Sequence, residues 1–525
     1  MWFNFFKLSV RRIVRDAGFS AINIGGLAIG LTAFILILEY IDFETNYDQS
    51  DISENVFRVQ NNYIRHGELI YNTAATFPGV GPNMAEYFPQ VESYGRIYPW
   101  SKLVKCSIVL PDSGPDNKVF IEENVAYADP SILNLLSIKM ISGNPGTALN
   151  EPGLVIISES LATKYFANSD PVGQHFALED SHVGSVELEV SGVFEDTPEN
   201  SHANLDVLIS YKTLYLRVEY RGDPAEISFE EDMGDYHFYT YILVNQPSDI
   251  SRITEQMPGF LDHYKPGYME VNKQGERMRT NQFTFTNLED IHLRSDLQFE
   301  FGVNNKEEKV GFLGVTAVFI LILAWVNYIN LYTSKSVERA KEVGIRKVVG
   351  SSKRVLVLQF LIESFLINLF AFILAMTVIQ VVQPFFNELT GRSLSLWQIE
   401  PLRLTAIMGT ILILGSLISG FYPSWILSNY KPSTVLKGKF EAYGAGAILK
   451  RALVIFQFVV STGLMACMLG VISQMNYMRE VEIGFDIDRI VVIEKPAVPD
   501  ETMGKASEKF KSDLLRLSMV EEVGG

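Results

Sequence analysis

Five stretches of this chain are each long and apolar enough to cross a bilayer, and no other feature limits its fold as strongly. A spanning helix needs about 20 mainly apolar residues at 1.5 Å of rise each. The windows are 18–41, 310–332, 355–382, 404–427 and 449–474. One such window could be a buried helix of a soluble protein, but five in a chain of 525 residues predict a helical membrane bundle. Charged residues are correspondingly scarce, at 20% against a usual share of about 25%. The first window is too long an apolar run for a signal peptide and has no small-residue cleavage site, so it reads as an uncleaved anchor.

Loop charge sets the orientation, because Lys and Arg near span ends stay in the cytoplasm. The tail 1–17 carries Lys7, Arg11, Arg12 and Arg15 against Asp16. Segment 333–354 carries Lys335, Arg339, Lys341, Arg346, Lys347, Lys353 and Arg354 against Glu338 and Glu342. The loop 428–448 and the residues just after it carry Lys431, Lys437, Lys439, Lys450 and Arg451 against Glu441. Alternating crossings put all three patches on one side, the cytoplasm, with the N-terminus. Residues 42–309 hold 42 acidic and 19 basic side chains, a net of −23, and fall on the other side. That segment is far too long for a loop and must fold. Short β-rich runs (Leu154 to Ser158, Val186 to Val193, Tyr239 to Val244) alternate with helical stretches such as Glu159 to Phe166, so an α+β domain is expected. The predicted architecture is thus a membrane α-helical bundle with an α+β extracytoplasmic domain, and with a second outer domain beginning over 475–525.

Several functions are excluded. A net charge of −17 and a pI near 5.0 do not suit a nucleic-acid partner, whose phosphates need clustered Lys and Arg. Cys106 and Cys467 are too few and too far apart for a disulfide framework or a metal cluster. The seven histidines show no H-E-x-x-H or other close ligand spacing, and no G-x-S-x-G elbow occurs. Glu230, Glu231, Asp232 and Asp235 read as a solvated loop, since a calcium loop needs spaced Asp/Asn ligands and a glycine. No G-x-x-x-x-G-K-[ST] phosphate loop is present: Gly438-Lys439 is followed by Phe440. The cytoplasmic loops are too short to form a nucleotide-binding core. The chain is therefore read as non-catalytic, without a cofactor or metal of its own.

From Ser334 the pattern is an amphipathic helix closed by Gly350, with Val337, Ala340, Val343, Gly344 and Val348 on one face and Glu338, Lys341, Glu342 and Lys347 elsewhere. Two readings stay open: a helix lying on lipid headgroups, or a docking helix for a cytoplasmic subunit. Inside the third window Glu363 follows Gln359 by one turn. A proton relay is one reading of such a carboxyl. A helix–helix hydrogen bond is preferred, because no second ionisable residue is expected at its depth, and Asn327 and Asn330 are placed to bond across to Gln359 and Glu363. Gly25, Gly26, Gly30, Gly409, Gly415 and Gly420 are expected to allow close helix packing.

The stretch VNYINLYTSKSVERAKEVGIRKVVGSSKRVLVLQFLIESFL resembles the signature of the FtsX-like, MacB-like permeases of ABC transporters, and YPSWILSNYKPSTVLKG their second hallmark. VIISESLATKYFANSDPVGQHF and VSGVFEDTPENSHANLDVLIS are similar to the family's periplasmic core domain. The resemblance implies a multi-pass protein of the bacterial inner membrane, with domain 42–309 in the periplasm. It implies a cytoplasmic ABC ATPase dimer as partner, with ATP and magnesium on that partner, and surrounding lipid. It leaves room for a periplasmic or outer-membrane protein. Work would be done by mechanotransmission: the ATPases push a coupling helix, tilt the second span and move the outer domain. The coupling positions carried over are Glu338, Arg339, Glu342, Gly344, Arg346, Lys347 and Gly350, their charges expected to be exposed for docking. Export or extraction of a lipoprotein, peptide or drug is the implied task, with control of a cell-wall hydrolase or peptide sensing as the alternative. The fifth window opens a second cycle of basic leader, span and outer segment, like the eight-span members, so a longer parent chain is expected.

Overall fold

The structure, a computed structural model, describes residues 2–66, 68–110, 118–167, 169–180, 184–218, 232–234, 237–265, 269–271, 277–429, 445–480, 490–493, 503–517, 519–520 and 522–523. The chain divides into two compact units, residues 1–45 with 307–490, and 46–306 with 491–525.

The first unit is helical. Helix α1 (Trp2–Arg15) is followed after one residue by α2 (Ala17–Thr45). Helix α3 (Glu307–Ser334) leads into α4 (Ser336–Val348), then come α5 (Lys353–Thr390), α6 (Pro401–Asn429) and α7 (Ala445–Glu480). By length and composition α2, α3, α5, α6 and α7 can each cross a membrane. Helix α5 runs eight residues past the expected Val382, through Pro384, and is closed by Gly391 at φ 65°. The proline's missing N–H does not end the helix. Small residues set the closest approaches: a Cβ on Gly30 would lie 2.5 Å from Ala324 Cβ, and one on Gly420 would lie 2.8 Å from Ser364 Cβ. Gly26 and Gly415 also face neighbouring helices, whereas Gly25 and Gly409 look onto open space and do not serve packing as expected. Leu27, Leu31, Trp325, Tyr328, Phe360, Ile367, Ala371 and Ala375 form the centre of the bundle. Most described side chains of α7 are exposed.

The second unit is built on a mixed sheet, thirteen-stranded among the described residues. Eleven of its strands run in space as Asn281–Asn287, Val56–Arg65, Tyr239–Val244, Val91–Tyr98, Val125–Ala128, Val207–Ser210, Leu154–Ser158, Gly184–Phe194, His175–Asp180, Cys106–Leu110 and Lys118–Glu122, while Glu68–Thr73 pairs with Val56–Arg65 and Met140–Gly143 with Gly184–Phe194. Two pairings are parallel, Gly184–Phe194 with Leu154–Ser158 and Val207–Ser210 with Val125–Ala128. Strands such as Tyr239–Val244 are buried along their whole length, which is why they read as continuous apolar runs. The helix Asp249–Tyr264 covers the sheet with Ile253, Met257 and Phe260. Within 475–525, Val491 to Ile493 form no strand and a helix spans Met503–Leu514. The loop bases Lys431, Lys437 and Lys439, with Glu441, lie outside the described residues, as do Glu230, Glu231 and Asp235.

Candidate functional site

The coupling segment folds as the amphipathic pattern dictates, and its end is a glycine cap. Ser351 N–H donates to Arg346 O at 2.9 Å and Gly350 N–H to Lys347 O at 3.1 Å, with Gly350 at φ 101°. Only a residue at ease in the left-handed region closes a helix this way. The charges of α4, however, do not all face solvent. Arg339 is 4% exposed and turned into the bundle, where Nη1 donates to Glu363 Oε1 and Oε2 at 2.8 and 2.9 Å and to Tyr332 OH at 3.1 Å. Burial alone would lower the Arg339 guanidinium; Tyr332 and Glu363 reverse this and hold it above its ordinary value.

Glu363 thus has the ionisable partner that sequence reasoning denied it, and it has two. Arg12 Nη1 donates to Glu363 Oε2 at 3.3 Å and Arg12 Nη2 to Glu342 Oε2 at 2.6 Å. Arg346 donates to Glu342 Oε1 at 2.6 Å and to Gln359 Oε1 at 2.7 Å. Three helices, α1, α4 and α5, are therefore tied by one network of alternating charge. The span itself offers Glu363 no ionisable neighbour, but arginine stems from two helices outside the spans, α1 and α4, reach the carboxylate. Arg12 was hidden among four bases of the tail. Lys7, Arg11 and Arg15 recur every four residues on one face, and Arg12 is the one off that stripe, a signal that could have singled it out.

The asparagines do not do as expected either. Asn330 Nδ2 donates to Gln457 of α7 at 3.3 Å, and Asn327 lies against Gly26 of α2. Lys347 is held below its ordinary range by burial and by Lys353. Gly344 is buried, and the Glu338 side chain lies outside the described residues. Among the described side chains of α4 and its C-cap, the most open are apolar: Ile345, Val348 and Val349 are 56%, 66% and 83% exposed.

Beyond Glu363 the described polar contacts are uncharged and sparse until Gln383. Tyr328 OH meets Ser364 Oγ at 3.1 Å and Asn368 Nδ2 donates to Ser419 Oγ at 3.0 Å. The next polar cluster facing α2 is Gln383, whose Nε2 donates to Glu39 Oε1 and Oε2 at 3.3 and 3.2 Å. Between these two levels of α5, about 22 Å of helix apart, Ala371, Ala375 and Ile379 are fully buried.

In the outer domain the residues that follow α2 are clasped. Tyr47 stacks on His292 with ring centroids 3.4 Å apart. Asp48 accepts from Ser201 Oγ at 2.7 Å and from His202 N–H at 3.0 Å, and lies 2.9 Å from His202 Nδ1; His202 Nε2 is 2.6 Å from Tyr241 OH. Burial pushes the Asp48 carboxyl up, but His202 and these hydrogen bonds outweigh it and leave it below the usual carboxylate range. Gly302, in the segment leading to α3, approaches so closely that a Cβ there would lie 2.7 Å from His202 O. Arg58, wholly buried, grips Glu300 of the same segment at 2.6 and 3.0 Å. Sequence reasoning missed this clasp, although His202 stands in a motif it quoted and Tyr47-Asp48 directly follow the first span. Among the described residues no group of His, Cys, Asp or Glu could hold a metal ion.

Comparison with known proteins gives the class. Residues 20–259 match the MacB-like periplasmic core domain and residues 314–432 the FtsX-like permease C-terminal domain. The chain belongs to the FtsX/MacB-like permeases of ABC transporters. It is 24% identical over 235 residues to a macrolide export ATP-binding/permease protein MacB of Neisseria gonorrhoeae, covering 45% of this chain and 31% of that one. A MacB of Bdellovibrio bacteriovorus is 21% identical over 218 residues, 41% of this chain and 28% of the relative. The chain thus aligns with under a third of the length of each. The periplasmic region of MacB from Actinobacillus actinomycetemcomitans is 16% identical, with a TM-score of 0.29, over 46% of this chain and 95% of that one.

Proposed function

We propose that this chain is the mechanical subunit of an ABC-type transporter of the bacterial inner membrane. A separate cytoplasmic ATPase dimer, which would carry the ATP and magnesium, docks on α4 and moves the periplasmic domain. The N-terminus and α4 are cytoplasmic. The outward movement serves export or extraction of a lipoprotein, peptide or drug from the outer side of the membrane.

The observation that carries this reading is the burial of Arg339 against Glu363 and Tyr332, which fastens the short cytoplasmic helix to the ends of two spans. A force applied to α4 is passed into α3 and α5 and not absorbed by a flexible loop. The buried face of α5 between Asn368 and Gln383, Ala371, Ala375 and Ile379, is apolar and meets the Thr32 hydroxyl at Ala375 O, which supports motion transfer over conduction, since an ion or polar solute needs a run of polar partners along its path. The docking surface is the apolar knob Ile345, Val348 and Val349, beside which Arg346 and Glu342 are engaged within the chain.

Co-purification from mild detergent tests this. The parent chain is expected to bring down a P-loop ATPase, identified by mass spectrometry, and Ile345→Glu with Val349→Asp to lose it while Glu342→Gln retains it. Recovery of the ATPase by the double variant, or its absence from the parent, would overturn the docking assignment.

A further inference from the structure

Helix α1 has two faces with different work to do. Ser9 is buried, Ile13 packs on the bundle core and the Arg12 side chain is 13% exposed, so residues 9, 12 and 13 face inward. Lys7, Arg11 and Arg15, spaced four apart, lie exposed on the opposite side. Flanking that basic stripe, Leu8 and Val14 are 47% and 69% exposed. Exposed bases beside exposed apolar side chains on one helix describe a surface for anionic lipid: ammonium and guanidinium groups meet phosphate while the apolar residues enter the headgroup boundary. The chain enforces this location, since α2, the first span, begins two residues after Arg15.

We infer that α1 is a lipid-reading arm of the coupling apparatus: its outer stripe binds anionic headgroups, and Arg12 on its inner face passes that anchorage to the coupling helix α4 and to Glu363. Arg12 alone connects the two roles, donating to Glu342 at 2.6 Å and to Glu363 at 3.3 Å. Arg12 is a positioning residue. When the stripe is occupied, α1 is held at the surface and α4 with it; when it is not, α1 is freer and α4 loses one of its two charged anchors. The inference rests on α4 being the coupling helix, but its test needs no ATPase.

The full chain in nanodiscs of phosphatidylcholine, with or without phosphatidylglycerol at about a third of the lipid, is followed by hydrogen exchange over Ser336–Val348. Each base near an anionic surface contributes enough to change a population about fivefold. Phosphatidylglycerol is therefore expected to slow exchange in α4 by at least about fivefold in the parent. Lys7→Gln with Arg11→Gln and Arg15→Gln should remove the lipid difference but leave α4 as protected as in the neutral nanodisc. Arg12→Gln should speed exchange in both lipids and remove the difference, and Arg12→Lys should recover part of it. Exchange in Tyr239–Val244 stays the same throughout, which separates this from a folding defect. A parent insensitive to lipid charge, or a lipid effect that survives in Arg12→Gln or in the triple variant, would overturn the inference. Either failure leaves the ATPase co-purification unaffected, so the two readings fall separately.

Discussion

Glu363 and Glu39 are both 2% exposed in the same helical bundle, yet they are compensated in opposite ways. At the inner end Glu363 faces two arginines, both from helices outside the spans. At the outer end Glu39 receives, among the described residues, the amide of Gln383, which also donates to Asn387 Oδ1 and Leu394 O, each at 3.1 Å. A carboxylate paired with guanidinium is an anchor, because removing one partner leaves an uncompensated buried charge. A carboxyl facing a neutral amide gives no such hold. The end of the bundle at Glu363 is therefore tied by charge to the helices outside the spans, and the end at Glu39 is not.

The comparison can be broken most sharply at the inner pair. Arg339→Met should destabilise the bundle by about 3–5 kcal/mol, measured by thermal or denaturant unfolding in detergent, and adding Glu363→Leu should recover most of that. If the double variant is no more stable than the single one, Glu363 is not the partner that matters. In the outer domain His202→Ala strips Asp48 of a charge-assisted bond and should cost about 1.5–3 kcal/mol. Because Asp48 is held below its unfolded value, its contribution is complete above about pH 4 and is lost as pH falls through the folded value. Asp48→Asn should flatten that acid limb in hydrogen exchange of Val91–Tyr98.

Lys265 gives a rise of the same sign at the alkaline end. Its ammonium donates to Met233 O at 2.6 Å and lies over the Phe77 ring, and burial brings it down to about 8 from 10.5. The unfolded chain then binds more protons between those values, so stability should rise with pH from about 8 to about 10.5, and Lys265→Met should remove the rise. The smallest effect belongs to Glu39→Gln, which exchanges one amide-bonded group for another and should change stability by no more than about 1 kcal/mol. A loss as large as that of Arg339→Met would erase the distinction between the two ends.

The spans, the short amphipathic helix with its Gly350 stop, and the mixed outer domain were legible because each rests on local pattern: apolar length, helical period, strand runs between turn residues. What could not be read was which charges meet. Arg339 appeared as one more exposed base of an amphipathic helix, and only the turn at Lys335 that separates α3 from α4 sends it down beside Tyr332. Arg12 and Glu363 are 351 residues apart in the chain, and no periodicity connects them. The Asp48–His202 contact spans 154 residues in the same way. Long-range pairing of side chains is set by topology, which the sequence pattern constrains only loosely.

Motion transfer itself is open to one measurement above the rest. With the chain bound to its ATPase in nanodiscs, hydrogen exchange at residues 46–48 and 200–202 is compared with and without ATP turnover, in the parent and in Arg339→Met with Glu363→Leu. A lever anchored at Glu363 predicts that ATP changes exchange at these outer residues in the parent, and that the variant loses the change while its ATPase still turns over. The same ATP-driven change in both, or none in a parent that hydrolyses ATP, would contradict it.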